Sequence, residues 1–290
     1  MDLICVGDVM LDVHVAADAL ARGGDVHGRV HVMPGGTSAN AAIWAAWTGA
    51  SAGVVGAMGD DTAGRLLVDA LVERGVDVLG LVRDKEPTGT MLVVTDAGER
   101  SMVADRGASA ALRGDHLPQR LEAGGVLVSG YLLLQEPTTR TAVEVLECAV
   151  APLIAVEAAS WPLVSAFGPE RFFEMTVPAS VVLANAEEAR ALTGEGPSQA
   201  AAMLAERYRI AVVKCGAQGA LVAVDGVVTE HRPEPVDEID PTGAGDAFDG
   251  VFLGLLARGA QERDAADAAC RAGALVAASP SVWPDPGAPG

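Results

Sequence analysis

Short apolar runs alternate along this chain with longer segments of helical period. Leu3–Val6, Ala52–Val55, Met91–Val94, Val126–Ser129, Leu153–Val156, Val181–Leu183, Ile210–Val213 and Ala220–Val224 read as strands. Amphipathic stretches such as Thr62–Arg74, Thr138–Ala149 and Pro197–Arg207 lie between many of them. Strand, helix, strand in repetition predicts a largely parallel sheet covered on both faces, a three-layer α/β/α sandwich. Such sheets bind ligands at the carboxyl ends of their strands, where loops and helix N-termini converge.

Two segments break this rhythm. Val9–Val32 has alternating apolar positions around Gly23-Gly24 and no long helical pattern, and Thr88–Ala104 alternates around an Asp96-Ala97-Gly98 turn, the mark of a hairpin. Together, about 9–34 and 88–105 predict a small β-layer projecting from the main sheet, a lid or a dimer surface. Two Ala-rich helical patterns, Ala244–Arg258 and Glu262–Ala278, follow in the C-terminal half, and Pro280–Gly290 reads as irregular. No linker, repeat or low-complexity block divides residues 1–290, which are expected to form one domain.

Composition narrows the function. Half of the 290 residues are hydrophobic but only 4% are aromatic, so the core is built from Ala, Val and Leu. The net charge of −19 disfavours nucleic-acid backbones and anionic membranes as partners. An anionic ligand must therefore be captured by local positive potential. Cys5, Cys148, Cys215 and Cys270 are scattered and form no C-x-x-C pair, which argues against zinc and for buried, reduced thiols. Met1–Gly7 reads as a strand entering a glycine turn rather than a signal peptide, and no run approaches the ~18 apolar residues of a membrane span. A soluble, cytoplasmic protein is expected.

The most informative stretch is Asp240-Pro241-Thr242-Gly243-Ala244-Gly245-Asp246-Ala247-Phe248, placed after an expected strand end near Val236–Ile239 and at the start of a helical pattern. Small residues at a helix start let backbone amides approach a phosphate, and the macrodipole adds favourable potential. An aspartate in that first turn can take a proton from a hydroxyl facing the same phosphate. It could equally cap its helix. The stretch is neither a Walker loop nor a dinucleotide G-x-G-x-x-G, which argues against an NAD-dependent oxidoreductase.

Asp240–Phe248 resembles the C-terminal signature of the ribokinase-like (PfkB) carbohydrate kinases, and Gly35-Gly36-Thr37-Ser38-Ala39-Asn40-Ala41-Ala42 resembles their N-terminal glycine signature. Asn185-Ala186-Glu187-Glu188 is similar to the family's N-x-x-E motif, and Lys214-Cys215-Gly216-Ala217-Gln218-Gly219-Ala220 to its nucleotide-side glycine loop. Four motifs in order span nearly the whole chain.

The resemblance implies an ATP-dependent kinase with a ribokinase-like fold. Asp246 would be the catalytic base, and the amides of Gly243, Ala244 and Gly245 would form the anion hole for the migrating phosphoryl group. Asn185 and Glu188 would orient the phosphates and a hydrated Mg2+, while Lys214, Gly216 and Gly219 would border the nucleotide. Asp12 would bind two sugar hydroxyls, Asn40 a further one, and Gly36 would let the sugar come close. Asp8 reads as a turn residue. A monovalent cation, K+, sits beside the anion hole in many members. Asp240 and Thr242 fit its first ligands, whereas Ser279–Trp283 departs from the pattern of the later ones. Arg271 stands where relatives often carry a small polar residue near adenine. A homodimer through the lid is also implied.

The acceptor stays open between a small sugar, a sugar acid and a nucleoside. Arg106, with Ser109, is spaced as in 2-keto-3-deoxygluconate kinases, where an arginine meets the substrate carboxylate. The tyrosines that accompany it there are absent, and Asp105 could neutralise it instead. Aromatic poverty in the lid argues against a nucleoside, although Trp44, Trp47 and Tyr131 could reach a pocket; for the two tryptophans core packing is the expectation. A sensor that binds sugar or nucleotide without catalysis would have no use for the base at Asp246.

Overall fold

The computed structural model describes residues 1–284 apart from 18, 20, 22, 97 and 98. Chain order begins with β1 (Leu3–Val6), β2 (Met10–Ala17), β3 (Arg29–Gly35), α1 (Thr37–Trp47), β4 (Ala52–Gly59) and α2 (Thr62–Glu73). Next come β5 (Val76–Asp84), β6 (Thr90–Asp96), β7 (Glu99–Asp105), β8 (Gly125–Val128), α3 (Gly130–Leu133) and α4 (Thr139–Cys148). The middle contains β9 (Leu153–Glu157), α5 (Trp161–Phe167), α6 (Pro169–Met175), β10 (Val181–Asn185), α7 (Ala186–Thr193) and α8 (Pro197–Leu204). The C-terminal part adds β11 (Ile210–Lys214), β12 (Ala220–Val224), β13 (Val227–His231), α9 (Ala244–Ala257) and α10 (Glu262–Ala277).

Nine strands form the central sheet in the order β13-β12-β11-β10-β9-β8-β1-β4-β5, parallel except for the antiparallel edge β11-β12-β13. Alternate side chains of β1 serve opposite faces. Leu3 and Cys5 pack with Ile43 of α1, Leu67 of α2, Phe252 of α9 and Ala269 of α10. Ile4 and Val6 pack on the other side with Val145 of α4, Phe172 of α6 and Leu204 of α8. Burial on both faces is why these strands read as unbroken apolar runs.

A separate sheet of four strands, β3-β2-β6-β7, forms the lid. Its register places Asp12 beside Met33 and Met91, and Met91 beside Ala104, so these side chains share the face over the ligand cavity. The opposite face carries Val13, Val15, Val30, Val32, Leu92, Val94 and Val103. Val30, Val32 and Val103 are 60%, 55% and 63% exposed, an apolar surface that single soluble domains seldom leave open.

Three expectations change. No strand forms at Val236–Ile239: Pro233 and Pro235 lack the N–H a ladder needs, and both Val236 and Ile239 are exposed. The segment is pinned instead by the Ile239 and Asp240 amides, which donate to Ala277 O. Strands β5 and β13 carry polar residues between their apolar ones, being at the sheet's two edges, and were not anticipated. Of the free thiols, Cys5 and Cys270 are buried but Cys148, in the last turn of α4, is exposed. The hairpin turn at Ala97-Gly98 and the terminal residues 285–290 lie outside the described residues.

Candidate active site

Helices α1 and α9 approach unusually closely because a Cβ at Gly250 would lie 2.9 Å from the Ala41 carbonyl carbon, and one at Gly254 only 3.2 Å from Ala45. That approach brings Asn40, near the start of α1, against Asp246, in the first turn of α9. Asn40 Nδ2 donates to Asp246 Oδ2 at 2.8 Å. Burial pushes the Asp246 carboxyl up to about 7; the Asn40 hydrogen bond opposes this, Asp249 and Asp12 add to it, and Lys214 opposes it. A carboxylate so placed is poised to exchange a proton near neutral pH.

The turn before Asp246 is built for close approach. Gly243 has φ +78, and a Cβ there would come within 2.6 Å of Val282 Cγ1. Amides in the first helical turn have no intrahelical acceptor, so those of Gly245 and Asp246 can face a ligand. The Ala244 amide, by contrast, donates to Pro241 O at 3.2 Å. Thr242, Gly243, Ala244, Gly245 and Asp246 all line a cavity of about 480 Å³.

At the lid end of this cavity stand Asp12, Gly36, Asn40 and Arg106. A Cβ at Gly35 would sit 2.7 Å from Asp12 Oδ1, so glycine there makes room for the carboxylate. Gly36, at φ +94, would strike the Asp8 carbonyl group if it carried a side chain. Glycine at 36 is thus required by the chain's own backbone and not only by a ligand. Asp8 is no surface turn residue: it is buried and lines the cavity. It accepts from Arg106 Nε at 2.9 Å and Nη2 at 2.7 Å, while Asp105 accepts from the Gly107 amide. The lid supplies apolar walls from Met91, Val93, Met102 and Ala104, with Met10 at their base.

The other end of the cavity lies at the carboxyl ends of β9, β10 and β11. Asn185 and Glu188 form a capping box: Asn185 Oδ1 accepts from the Glu188 amide at 2.9 Å, and Glu188 Oε2 from the Asn185 amide at 2.8 Å. Glu188 is nevertheless buried in the cavity wall rather than a surface glutamate. Lys214 Nζ donates to both oxygens of Asp249, at 2.9 and 2.8 Å. Gly216, at φ +56, has open space where a Cβ would point. Gly219, at φ +89, is instead pressed against the His231 carbonyl, so its glycine serves the β-strand edge. A second cavity of about 230 Å³, walled by Gly216, Gly219, Pro235, Phe248, Gly273 and Ala277, adjoins the first through Lys214 and Gly245. Arg271 lies outside both, against an outer groove.

Comparison with known proteins decides the family. The pattern that defines the pfkB family carbohydrate kinases matches residues 1–285. The chain belongs to that family. Its curated relatives include the fructokinase of Escherichia coli, 30% identical over 298 residues, with 93% of this chain and 91% of that protein covered. The aminoimidazole riboside kinase of Salmonella typhimurium is 32% identical over 244 residues, covering 78% of this chain and 74% of that protein. Among solved structures, the Vibrio cholerae fructokinase bound to fructose, ADP and calcium superposes with a TM-score of 0.78 at 26% identity, covering 97% and 94% of the two chains.

In this carbohydrate kinase the charged residues of the site form one network. Burial disfavours the charge on Lys214, but Asp249, Glu157 and Glu188 outweigh it and hold its ammonium above the usual range. Burial raises Asp249 and Glu188 in turn, with Lys214 opposing. Glu157, the last residue of β9, is 8% exposed and lines the same cavity; burial raises it well above the ordinary carboxyl range. Sequence pattern alone does not mark Glu157, Asp249 or Trp283, and it reads Asp8 only as a turn residue. A charged residue ending an otherwise buried strand is a readable signal for Glu157. Asp249 follows Asp246 by three residues and so shares its helix face.

Among the described residues no three His, Cys, Asp or Glu side chains converge as a metal cage, and no helix is long and apolar enough to cross a membrane. Asp240 lies in the turn before α9, where its Oδ1 accepts from the Thr242 amide at 2.9 Å and from the Thr242 hydroxyl. Trp44 is core, as expected, and its Nε1 donates to Val282 O; Trp47 is half-buried against its edge, while Tyr131 does reach the cavity.

Proposed function

We propose that this kinase transfers the γ-phosphoryl group of ATP to a primary hydroxyl of a small neutral sugar. The supporting observation is Asp246, held by Asn40 in the first turn of α9, in one cavity with Asp12 at the lid end and Asn185, Glu188 and Lys214 at the other. The adjoining apolar cavity beside Gly216 and Phe248 suits an adenine ring. Asp246 takes the proton from the acceptor hydroxyl as its oxygen bonds to the γ-phosphorus. The bond from that phosphorus to the departing ADP oxygen breaks on the far side. First-turn amides of α9 stabilise charge on the transferred group; removing one such donor typically costs about 3 kcal/mol of barrier.

Mg2+ fits this donor set. The ion keeps several waters and uses one or two carboxylates besides substrate phosphates, so a full protein cage is not needed. Glu188, with Asn185 fixing its orientation, would hold the hydrated ion, which neutralises phosphate charge when bound. Asp240 and Thr242, joined by their mutual hydrogen bonds in the turn before α9, would contribute oxygen ligands to K+.

Arg106 supports a neutral acceptor, because Asp8 already engages its guanidinium through two nitrogens. A sugar acid would therefore meet a guanidinium whose charge Asp8 already balances. The apolar lid wall favours a second reading, a riboside: methionine thioethers pack well on aromatic rings and can replace the stacking aromatics the lid lacks. ADP release should be measured with pentoses, hexoses, 2-keto-3-deoxy acids and ribosides as acceptors. Turnover is expected with a neutral acceptor and not with the acids. Turnover with the acids alone would overturn the neutral-acceptor reading, and turnover with none would leave a sensor.

The valine face of the lid supports a homodimer in which two lids pack face to face. Light scattering is expected to give twice the chain mass, and V32K to give a monomer. A wild-type monomer at every concentration would refute it.

A further inference from the structure

The segment that follows α10 folds back onto both helix α1 and the glycine turn before α9. Its own polar groups shape it: the Ser281 amide donates to Ser279 Oγ at 3.0 Å, and Ser281 Oγ donates to Trp283 O at 3.1 Å. Trp44 Nε1 anchors it to α1 by donating to Val282 O at 2.9 Å. Val282 packs where a side chain on Gly243 would have to go. Trp283 is 7% exposed, and the Arg74 guanidinium lies 4.3 Å from its ring centroid. Its Nε1 donates to Asn40 Oδ1 at 2.7 Å, and Asn40 Nδ2 donates in turn to Asp246 Oδ2 at 2.8 Å.

An amide has a donor end and an acceptor end of nearly equal shape, whereas an indole N–H only donates. With the indole at Asn40 Oδ1, the NH2 end must face Asp246. Reversed, the amide would set its oxygen against the carboxylate. We propose that Trp283 is a positioning residue: its indole N–H fixes the orientation of the Asn40 amide, which keeps Asp246 ionised and aimed at the acceptor. The inference rests on Asp246 acting as the base.

The other groups around Asp246 do not depend on this chain of contacts. Lys214 on β11, Asp249 on α9, Asp12 on β2 and Glu157 on β9 act on it through charge, and Cys5 on β1 and Tyr131 on α3 face the same region. A change confined to the indole nitrogen therefore reaches Asp246 through Asn40.

Trp283→Phe keeps a ring under Arg74 and removes the N–H. The expected result is a kcat lower by about tenfold with the KM for ATP within twofold, since a misaligned base slows chemistry more than binding. The acid limb of kcat/KM should also move to higher pH, because Asn40 donates to the charged form of Asp246. In an Asn40→Ala background the same substitution should change neither quantity. An unmoved limb, or an equal shift in the Asn40→Ala background, would overturn the proposal.

Should Trp283→Phe fail to fold, wild-type protein gives the answer. The Trp283 indole N–H resonance is expected to titrate with the midpoint of the acid limb and to stop titrating in Asp246→Asn; a resonance flat across that range would overturn the proposal. Turnover retained by Asp246→Asn would refute the base itself, a result separate from whether the indole senses residue 246.

Discussion

Asp246→Asn is expected to abolish measurable turnover while ATP affinity stays within a few-fold of wild type. The substitution preserves shape and burial, so the nucleotide contacts proposed at Gly216 and in the apolar cavity beside Phe248 should persist. What is lost is the proton acceptor, and general bases contribute about 10²–10⁴ in rate. Without it the acceptor hydroxyl must attack while still protonated. Steady-state kcat and calorimetric ATP binding check the two halves separately. Most of the wild-type kcat remaining would remove Asp246 from the chemistry; loss of ATP binding as well would point to a disturbed helix start.

Lys214→Met is expected to produce the largest loss of stability of any single substitution at the site. Asp249 is buried and Lys214 largely so, the two joined by hydrogen bonds of 2.8 and 2.9 Å. Removing one partner of such a pair leaves a buried charge uncompensated and costs about 3–5 kcal/mol. Asp249→Asn alone should destabilise for the mirrored reason, and the double variant should recover part of the loss, because neither member of the pair is then left without the other. Calorimetric unfolding of the three variants measures this. A Lys214→Met protein as stable as wild type would show that the pair is not buried in solution.

Much of this architecture was legible in the chain because burial leaves a periodic trace. The fully buried runs of β1, β4, β8 and β10 read directly as parallel strands, and the alternation across residues 9–34 and 88–105 gave the lid. The edge strands β5 and β13 did not, since edges mix polar residues into the pattern and weaken its period. The expected strand at Val236–Ile239 failed for a local reason, the prolines at 233 and 235.

The site divides along a similar line. Glycine motifs marked Gly36, Gly243 and Gly245 because backbone approach demands a residue type that stands out in sequence. Contacts between distant segments left no such trace. Nothing in the order of residues joins Asp8 to Arg106, 98 positions apart, or Asn40 to Trp283, 243 apart. Asn40, expected on the sugar, is held between Trp283 and Asp246, and Lys214, expected at the nucleotide, is also the counter-ion of Asp249. Those roles depend on where the sheet places each strand end, which periodicity alone does not specify.

The most direct measurement is the pH dependence of kcat/KM for the preferred acceptor, which reports ionisations of the free enzyme. Burial raises Asp246 to about 7, and a base works only when ionised. Activity should therefore be level at higher pH and fall with a single ionisation as pH drops through about 7. A rate independent of pH across that range would contradict the assignment of this carboxylate as the group that accepts the proton.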